Sequence, residues 1–184
     1  MYKRIVITLA VTAIAAVCAV IIFGKIYPLK YLEIVEKNAE TYGLDAVFIC
    51  SVIHAESRFN KDAVSKKGAS GLMQISKITA DWAAEELHIN NYNYKNIHDP
   101  EINILIGCWY LNKLNAQFDG VTDTVLAAYN AGSGNVSGWL TLPEYSSDGK
   151  NLYNVPFGET REYIKKVNEN LKIYGFLIKL KSFL

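Results

Sequence analysis

The chain has 184 residues, of which 51% are apolar, and its formal net charge is +1. This length and apolar content support one globular domain with a core of its own, and the balanced charge gives no reason to expect nucleic acid as a partner. The spacing of the three histidines and three cysteines matches no metal site, so we expect neither a metal nor another cofactor.

The N-terminus predicts a membrane anchor. Lys3 and Arg4 precede an uncharged stretch from Ile5 to Phe23, which is close to the ~20 residues needed to span a bilayer. A cleaved signal peptide usually has a shorter apolar region and a small-x-small site after it, whereas Ala13-Ile14-Ala15 lies too early. We therefore predict one transmembrane helix over residues 1–24, with the N-terminus in the cytoplasm. Cleavage near Ala16–Phe23, with release of the rest as a soluble protein, is the alternative.

The remaining chain predicts helices joined by polar loops and thus an α fold. Residues 25–45 form a short link and a first helix, which ends at Gly43. Residues 46–175 form the main domain, and residues 176–184 form an apolar, basic tail that either ends the last helix or contacts a membrane surface. Helices are predicted over Tyr31–Tyr42, Asp45–Glu56, Ala80–Leu87, Ile102–Phe118 and Asp123–Tyr129, followed by a last one from Thr160. Asp99 is the predicted N-cap of the helix that continues over Ile102–Phe118, with Pro100 at its first position.

Other local features are less decisive. Trp82 is predicted as a core anchor of its helix. The turn residues within 142–155 allow a short β-hairpin. Cys50 and Cys108 lie in apolar helical contexts, where a thiol is usually a small core residue. A disulfide between them would require Cα atoms within ~7 Å, which the sequence does not establish.

One carboxylate stands out. Glu56 closes the apolar run from Val47 to Ala55, which predicts a buried helix with Asp45 as its N-cap. A carboxylate at the end of such a helix is partly desolvated, and desolvation favours the neutral acid. That is the state in which a Glu donates a proton near neutral pH. Taken alone, Glu56 reads more simply as a solvated residue at a helix end.

Two further segments have the chemistry of a sugar-binding groove. The segment Gly68-Ala69-Ser70-Gly71 lets backbone pass close to a bulky group, and Leu72-Met73-Gln74 follows it. The segment from Ala127 to Gly132 places the Tyr129 phenol and the Asn130 amide at a helix end. Amides, hydroxyls and aromatic faces suit a sugar polymer, which offers many hydroxyls and apolar ring faces but no strong charge.

In these segments the chain resembles the lytic transglycosylases of the soluble-transglycosylase type, which share a lysozyme-like α fold with goose-type lysozymes. The resemblance runs from about Val47 to Val167. Its blocks are Glu56-Ser57 with Phe59-Asn60, Ser65 with Gly68 to Gln74, Thr79-Ala80, Asn103-Ile104 with Gly107 and Tyr110-Leu111, Ala127 to Gly132, and Pro156 with Glu159-Thr160-Arg161 and Tyr163. The chain departs at Lys61, where the family usually has Pro, and at Ser76, where many members have an apolar residue.

The resemblance implies cleavage of the β-1,4 bond between N-acetylmuramic acid and N-acetylglucosamine in peptidoglycan. No water is consumed, and the product carries a 1,6-anhydro ring. Glu56 is then the general acid and afterwards the base, and the domain faces the cell wall from its membrane anchor. The residues implied to contact the glycan strand are Ser65, Met73, Gln74, Tyr129, Asn130 and Glu159, with Tyr129 near Glu56. Glu159 is otherwise simply an acid in the first turn of the last helix.

Two other functions stay open. A hydrolytic lysozyme of the same fold would need a positioned water and usually a second carboxylate, for which Asp62, Asp81 and Asp123 are the candidates. The other is a membrane-anchored peptidoglycan-binding module without activity. Retention of Glu56 beside the amide and phenol residues argues against a pure binder, which has no need of a desolvated acid.

Overall fold

The computed structural model describes residues 2–183, without the side chains of residues 4–8, 10 and 16. Two compact units are present, Met1–Lys30 and Tyr31–Leu184. In chain order the α-helices are α1 Tyr2–Ile26, α2 Leu32–Tyr42, α3 Ala46–Ser57, α4 Lys77–Glu86, α5 Pro100–Gln117, α6 Thr122–Ala131, α7 Ser133–Leu140 and α8 Gly158–Lys181, and a 3-10 helix, Tyr94–His98, precedes α5.

The first unit contains α1, which has Lys25 in its last turn. Within the described part of the chain, no helix combines the length and the apolarity that crossing a membrane requires. A span needs about 20 consecutive apolar residues in one helix, and no described helix meets that condition. The prediction of a transmembrane helix over residues 1–24 is therefore wrong. The side chains of residues 4–8, 10 and 16, which fall inside that predicted span, lie outside the described residues.

Three helices of the second unit begin or end at the caps that the sequence predicts. α2 ends at Gly43, which adopts a left-handed conformation with φ of 62°. α3 begins at Asp45, whose carboxylate accepts a hydrogen bond from the Val47 backbone N–H at 2.7 Å. The first residue of α5 is Pro100, and Asp99 before it is the N-cap, whose carboxylate accepts hydrogen bonds from the Glu101 and Ile102 N–H groups. These boundaries are confirmed.

The structure corrects three local predictions. Residues 133–140, for which no helix was predicted, form α7, because Val136 and Trp139 are buried and the Trp139 ring packs on Phe157 with 4.9 Å between the ring centroids. Residues 142–155 form turns and bends without a strand, so the β-hairpin prediction is wrong. Trp82 is 44% exposed, so it is not a core anchor.

The core centres on α3, in which every residue from Ile49 to His54 is buried. α3 packs mainly against α8 and also against α2, and α2 packs on α5. Polar contacts reinforce this packing: His54 Nδ1 lies 2.9 Å from the Tyr174 hydroxyl, and Asn170 Nδ2 donates to the Ser51 carbonyl at 3.2 Å. The cysteines Cys50 and Cys108 are buried and free. α3 is thus held firmly against α8, and this fixes the position of its C-terminal end.

Candidate active site

Glu56 lies in the last turn of α3, where the buried helix reaches the surface. The helix stops there because Arg58 and Phe59 adopt left-handed backbone conformations, with φ of 53° and 62°. Phe59 is nevertheless buried, and its ring packs against His54 and Tyr174 at centroid distances of 6.4 and 5.8 Å. The position of Glu56 is therefore set by a fixed helix end rather than by a fraying one.

The Glu56 carboxyl holds its proton more strongly than an ordinary glutamic acid. Burial raises its pKa to about 7, because the charged form loses hydration. The Tyr163 hydroxyl and the Lys166 ammonium lower this pKa, while the Glu159 carboxylate raises it further. The sequence-based expectation of a desolvated acid at this helix end thus has a physical counterpart in the structure.

Two tyrosines lie beside Glu56. Burial raises the pKa of both Tyr129 and Tyr163 well above its ordinary value, and the nearby Glu56 is the next cause for each. The Tyr129 hydroxyl donates to the Met73 carbonyl at 2.8 Å. The Tyr163 hydroxyl is buried, and it acts on the Glu56 carboxyl as a hydrogen-bond donor, which lowers the Glu56 pKa.

An open cavity of about 440 Å³ adjoins Glu56. One wall is the end of α3 with Asn130 of α6, and the other is the first half of α8. The α8 wall is strongly charged, with Glu159, Glu162, Lys165, Lys166 and Glu169 around Tyr163. The cavity thus combines one desolvated acid with several solvated charges.

Two residues expected to contact the glycan line this cavity with Glu56. The Asn130 side-chain oxygen accepts a hydrogen bond from the Thr160 hydroxyl at 2.8 Å, which holds the amide at the cavity edge. Glu159 lies on the α8 wall, and its side chain is 75% exposed, with Lys67 at 3.6 Å. Such an exposed pair contributes little to stability, so Glu159 can exchange Lys67 for another partner.

The glycine-rich segment forms a loop that the side chain of Asn103 holds in place. Asn103 is fully buried; its oxygen accepts from the Met73 N–H at 2.8 Å, and its nitrogen donates to the Ser70 and Ile97 carbonyls at 3.0 and 2.8 Å. Gly71 has φ of +82°, and a Cβ there would lie 2.1 Å from the Asn103 nitrogen. Only glycine therefore fits at position 71, where the backbone passes this close to the Asn103 side chain.

The loop uses the predicted residues Ser65, Met73 and Gln74 in different ways. The Ser65 hydroxyl accepts from the Ala69 N–H at 3.0 Å, and the Gln74 amide donates to the carbonyls of Ala63 and Gly71. Both side chains keep partial exposure. Met73 is fully buried and packs so closely on Gly107 that a Cβ there would lie 2.2 Å from its sulfur. The structure therefore gives the Met73 side chain no surface for a ligand.

We expect Asn103→Ala to lower the free energy of unfolding by about 2–5 kcal/mol. The change removes three buried hydrogen bonds and leaves the Met73 N–H and the Ile97 carbonyl without partners, at ~1–3 kcal/mol for each unsatisfied group, whereas the Ser70 carbonyl keeps the Ile75 N–H. Denaturant unfolding of the full chain measures the loss. Asn96→Ala, at an exposed position of the 3-10 helix, is the matched control and should change stability by less than about 0.5 kcal/mol. Equal stability of the two variants would contradict the structural role of Asn103.

The two departures from the family pattern have structural roles. Ser76 is the N-cap of α4, and its hydroxyl accepts from the Thr79 N–H at 3.1 Å. The Lys61 ammonium pairs with Asp62 at 3.0 Å, and its carbonyl oxygen lies 3.0 Å from His98 Nδ1. The chain thus uses both positions for local hydrogen bonds.

The aspartates considered for hydrolysis have partners elsewhere. Asp62 pairs with Lys61 and Asp81 pairs with Lys77, while Asp123 accepts from Asn168 at 2.9 Å. None of the three is among the described residues that line the cavity beside Glu56.

Sequence reasoning missed two groups that act on Glu56. Tyr163 was named only as the end of the last family block, with no role beside Glu56, and Lys166 was not singled out. A period of 3.6 residues identifies the buried face of a helix, but it does not say which buried hydroxyl adjoins a carboxylate on another helix. The family block that ends with Tyr163 was the signal that could have identified it.

Comparisons with known proteins agree with this geometry. The family model described as "Transglycosylase SLT domain" matches residues 33–152. The Membrane-bound lytic murein transglycosylase C of Edwardsiella ictaluri is 33% identical over 171 residues, covering 79% of this chain and 46% of the relative. The Soluble lytic murein transglycosylase of Escherichia coli K12 is 34% identical over 143 residues, covering 77% of this chain and 22% of the relative.

Solved structures give the same result. The lytic transglycosylase Slt of Pseudomonas aeruginosa, as an inactive mutant, has a TM-score of 0.74 and 30% identity, covering 83% of this chain and 25% of its own. A 70-kDa soluble lytic transglycosylase in complex with bulgecin A has a TM-score of 0.74 and 31% identity, with the same coverage. The chain thus spans less than half the length of these relatives. With its family model matched over most of the second unit, the chain belongs to the transglycosylase SLT domain family.

Proposed function

We propose that this protein is a peptidoglycan lytic transglycosylase, which cleaves the β-1,4 bond between N-acetylmuramic acid and N-acetylglucosamine without water. The observation that carries the proposal is Glu56: a carboxyl with a pKa of about 7 at the edge of an open cavity. The names of the relatives, lytic murein transglycosylases, support the same activity.

In the proposed reaction Glu56 acts twice. Its carboxyl first donates a proton to the glycosidic oxygen, and the bond from that oxygen to C1 of the muramic acid breaks. The substrate's own 2-acetamido group stabilises the developing positive charge. The Glu56 carboxylate then takes the proton of the C6 hydroxyl, whose oxygen bonds to C1 and closes the 1,6-anhydro ring. Glu56 ends the cycle protonated, as it began.

The neighbours of Glu56 suit this double role. Burial keeps the carboxyl protonated before the first step. The Tyr163 hydroxyl and the Lys166 ammonium favour the ionised form, so they stabilise the carboxylate that exists between the two steps. A carboxyl balanced in this way can both release and recover a proton near neutral pH.

We assign the remaining site residues by position. Asn130 and Glu159, which line the cavity, would hydrogen-bond sugar hydroxyl and acetamido groups. Ser65 and Gln74 would contact the strand from the glycine-rich loop. Tyr129 would act by positioning, because its hydroxyl holds the Met73 carbonyl and with it the end of that loop.

Product analysis tests the proposal against hydrolysis. Purified peptidoglycan is digested with the full chain, and the released fragments are separated and weighed. We expect muropeptides with 1,6-anhydro ends, which are lighter by one water than hydrolysis products. Reducing-end muramic acid would instead indicate a lysozyme, with exposed Glu159 or Glu162 of the cavity wall as the second carboxylate. Bulgecin A, which a structural neighbour binds, should inhibit the digestion.

We further propose that the protein works outside the cytoplasmic membrane, because peptidoglycan lies there. One relative is named as membrane-bound, which supports association of this protein with a membrane. Fractionation of cells that produce it would test this, since a protein found wholly in the wash fraction after salt and carbonate treatment would contradict association.

A further inference from the structure

A tryptophan on α4 is more exposed to solvent than is usual for so large an aromatic side chain. Trp82 is 44% exposed, although burial of a large aromatic ring is strongly favourable. The ring nevertheless has a fixed neighbour: it forms a T-shaped contact with the buried Trp109 ring, with 4.7 Å between the centroids and 76° between the ring planes. Trp82 therefore presents a fixed indole surface to solvent.

The ring of Trp82 connects to the candidate active site through other aromatic rings. Its centroid lies 6.5 Å from that of Tyr110, and the Tyr110 centroid lies 5.6 Å from that of Tyr129. Tyr129 in turn lies beside Glu56: burial raises the Tyr129 pKa, and the Glu56 charge raises it further. Two ring-to-ring steps thus lead from the residue next to the reacting acid to an exposed indole.

A charged pair flanks the indole. The Lys113 ammonium lies 6.0 Å from the Trp82 centroid and 5.4 Å from the Trp109 centroid, and it pairs with Glu86 at 3.3 Å. A cation at this distance attracts the ring electrons and restricts the side chain. The pair thus offers a donor and an acceptor next to the ring.

The two sides of Glu56 differ in chemistry. The α8 side is the charged cavity wall, whereas the side toward α4 and α5 carries the connected rings of Tyr129, Tyr110 and Trp82. Exposed aromatic surface with a few polar groups suits an uncharged ring with an apolar face. A pyranose ring has such a face, and the hydroxyls at its rim can reach Lys113 and Glu86.

We propose that the Trp82 indole, packed against the Tyr110 ring, is a stacking platform for a pyranose ring of the bound glycan strand, away from the bond that is cleaved. The platform rests on the proposed function, since it binds a remote part of the same strand. It makes affinity depend on strand length: a short oligosaccharide fills the site around Glu56, and a longer one also covers the indole.

Binding of soluble oligomers tests the platform. The probes are the β-1,4-linked dimer and hexamer of N-acetylglucosamine, titrated into the full chain carrying Glu56→Gln so that no bond is cleaved. We expect Trp82→Ala to weaken hexamer binding about tenfold and to leave dimer binding unchanged. Trp82→Phe keeps a smaller ring and should retain part of the difference. Hexamer binding should also change the tryptophan emission, and Trp82→Phe should remove that change.

Ile78→Ala is the matched control. Ile78 lies one helical turn before Trp82 on α4 and is 84% exposed, and its removal should not alter the ratio of hexamer to dimer affinity. Any general damage to the fold would lower both affinities, so this ratio isolates the platform. A parent chain that prefers the hexamer, with an unchanged preference in Trp82→Ala, would overturn the platform and leave the proposed function intact. If the Glu56→Gln chain binds neither oligomer and the chain with Glu56 intact releases nothing from peptidoglycan, the platform and the proposed function are both overturned.

Discussion

Replacement of Glu56 by glutamine is expected to abolish release of soluble fragments from peptidoglycan. Glutamine keeps the volume and the hydrogen-bonding ability of the side chain but has no proton to give to the glycosidic oxygen. Loss of general acid–base catalysis typically costs ~10²–10⁴-fold in rate, and here both proton transfers depend on one group. A turbidity assay on purified cell walls, with the full chain, measures the rate.

The control for this prediction is Glu85→Gln. This substitution makes the same change of charge at an exposed position of α4, and Glu85 is not among the described residues that line the cavity. It should keep the parent rate, and both variants should keep the parent helicity by circular dichroism. Near-parent activity of Glu56→Gln would show that Glu56 is not the catalytic acid.

The second large effect is expected in the pH dependence of kcat/KM. This ratio reports the ionisation of the free enzyme, in which Glu56 must be protonated to begin the reaction. Because burial raises the Glu56 pKa to about 7, we expect the ratio to be level below that pH and to fall tenfold per pH unit above it. No acid limb is expected from Glu56, since the first step itself creates the carboxylate needed for the second. A profile without a fall between pH 6 and 9 would contradict the assignment.

Two neighbouring lysines provide a sharper test. The Lys166 ammonium lowers the Glu56 pKa, so Lys166→Met should raise that pKa and move the alkaline fall to higher pH. Lys165 lines the same cavity but is not among the causes of the shift at Glu56. Lys165→Met should therefore leave the midpoint in place. A shift of equal size in both variants would mean that the overall positive charge of the cavity wall, and not the Lys166 charge in particular, lowers the midpoint.

The fold was predictable where local signals are strong. Asp45, Asp99 and Gly43 mark helix ends by chemistry that acts over three or four residues, and all three mark real ends. α7 was not predictable in this way. Its eight residues include glycine and serine, which are poor helix formers, and the helix depends on burial of Val136 and Trp139 by the rest of the domain.

The family was also predictable, and it is confirmed. No single block of the sequence was specific, but Glu56, the glycine-rich loop and Tyr129-Asn130 occur in the family's order. The comparisons support the lytic transglycosylase function inferred from that order. The individual roles of the binding residues stay predictions.

The remaining parts depend on tertiary contacts that no local pattern encodes. Met73 belongs to a family block and was assigned to the groove, yet its side chain is buried against Gly107. The Met73 backbone is what holds the loop, because its N–H donates to the Asn103 side chain and its carbonyl accepts from the Tyr129 hydroxyl. Trp82 shows the reverse: a large aromatic residue is usually core, but here its side chain packs on Trp109 and is still 44% exposed.

The helix end behind Glu56 also limits how this protein can evolve. Arg58 and Phe59 both hold a left-handed backbone, which costs roughly 1–2 kcal/mol for each residue other than glycine, and β-branched side chains fit it worst. Arg58 is exposed, so by burial alone almost any residue would be tolerated there. The backbone nevertheless excludes valine, isoleucine and threonine, while glycine at position 59 would lose the ring that His54 and Tyr174 contact. Position 58 is exposed and would therefore be expected to vary freely. Its left-handed backbone, and not its burial, limits which residues it tolerates beside the acid.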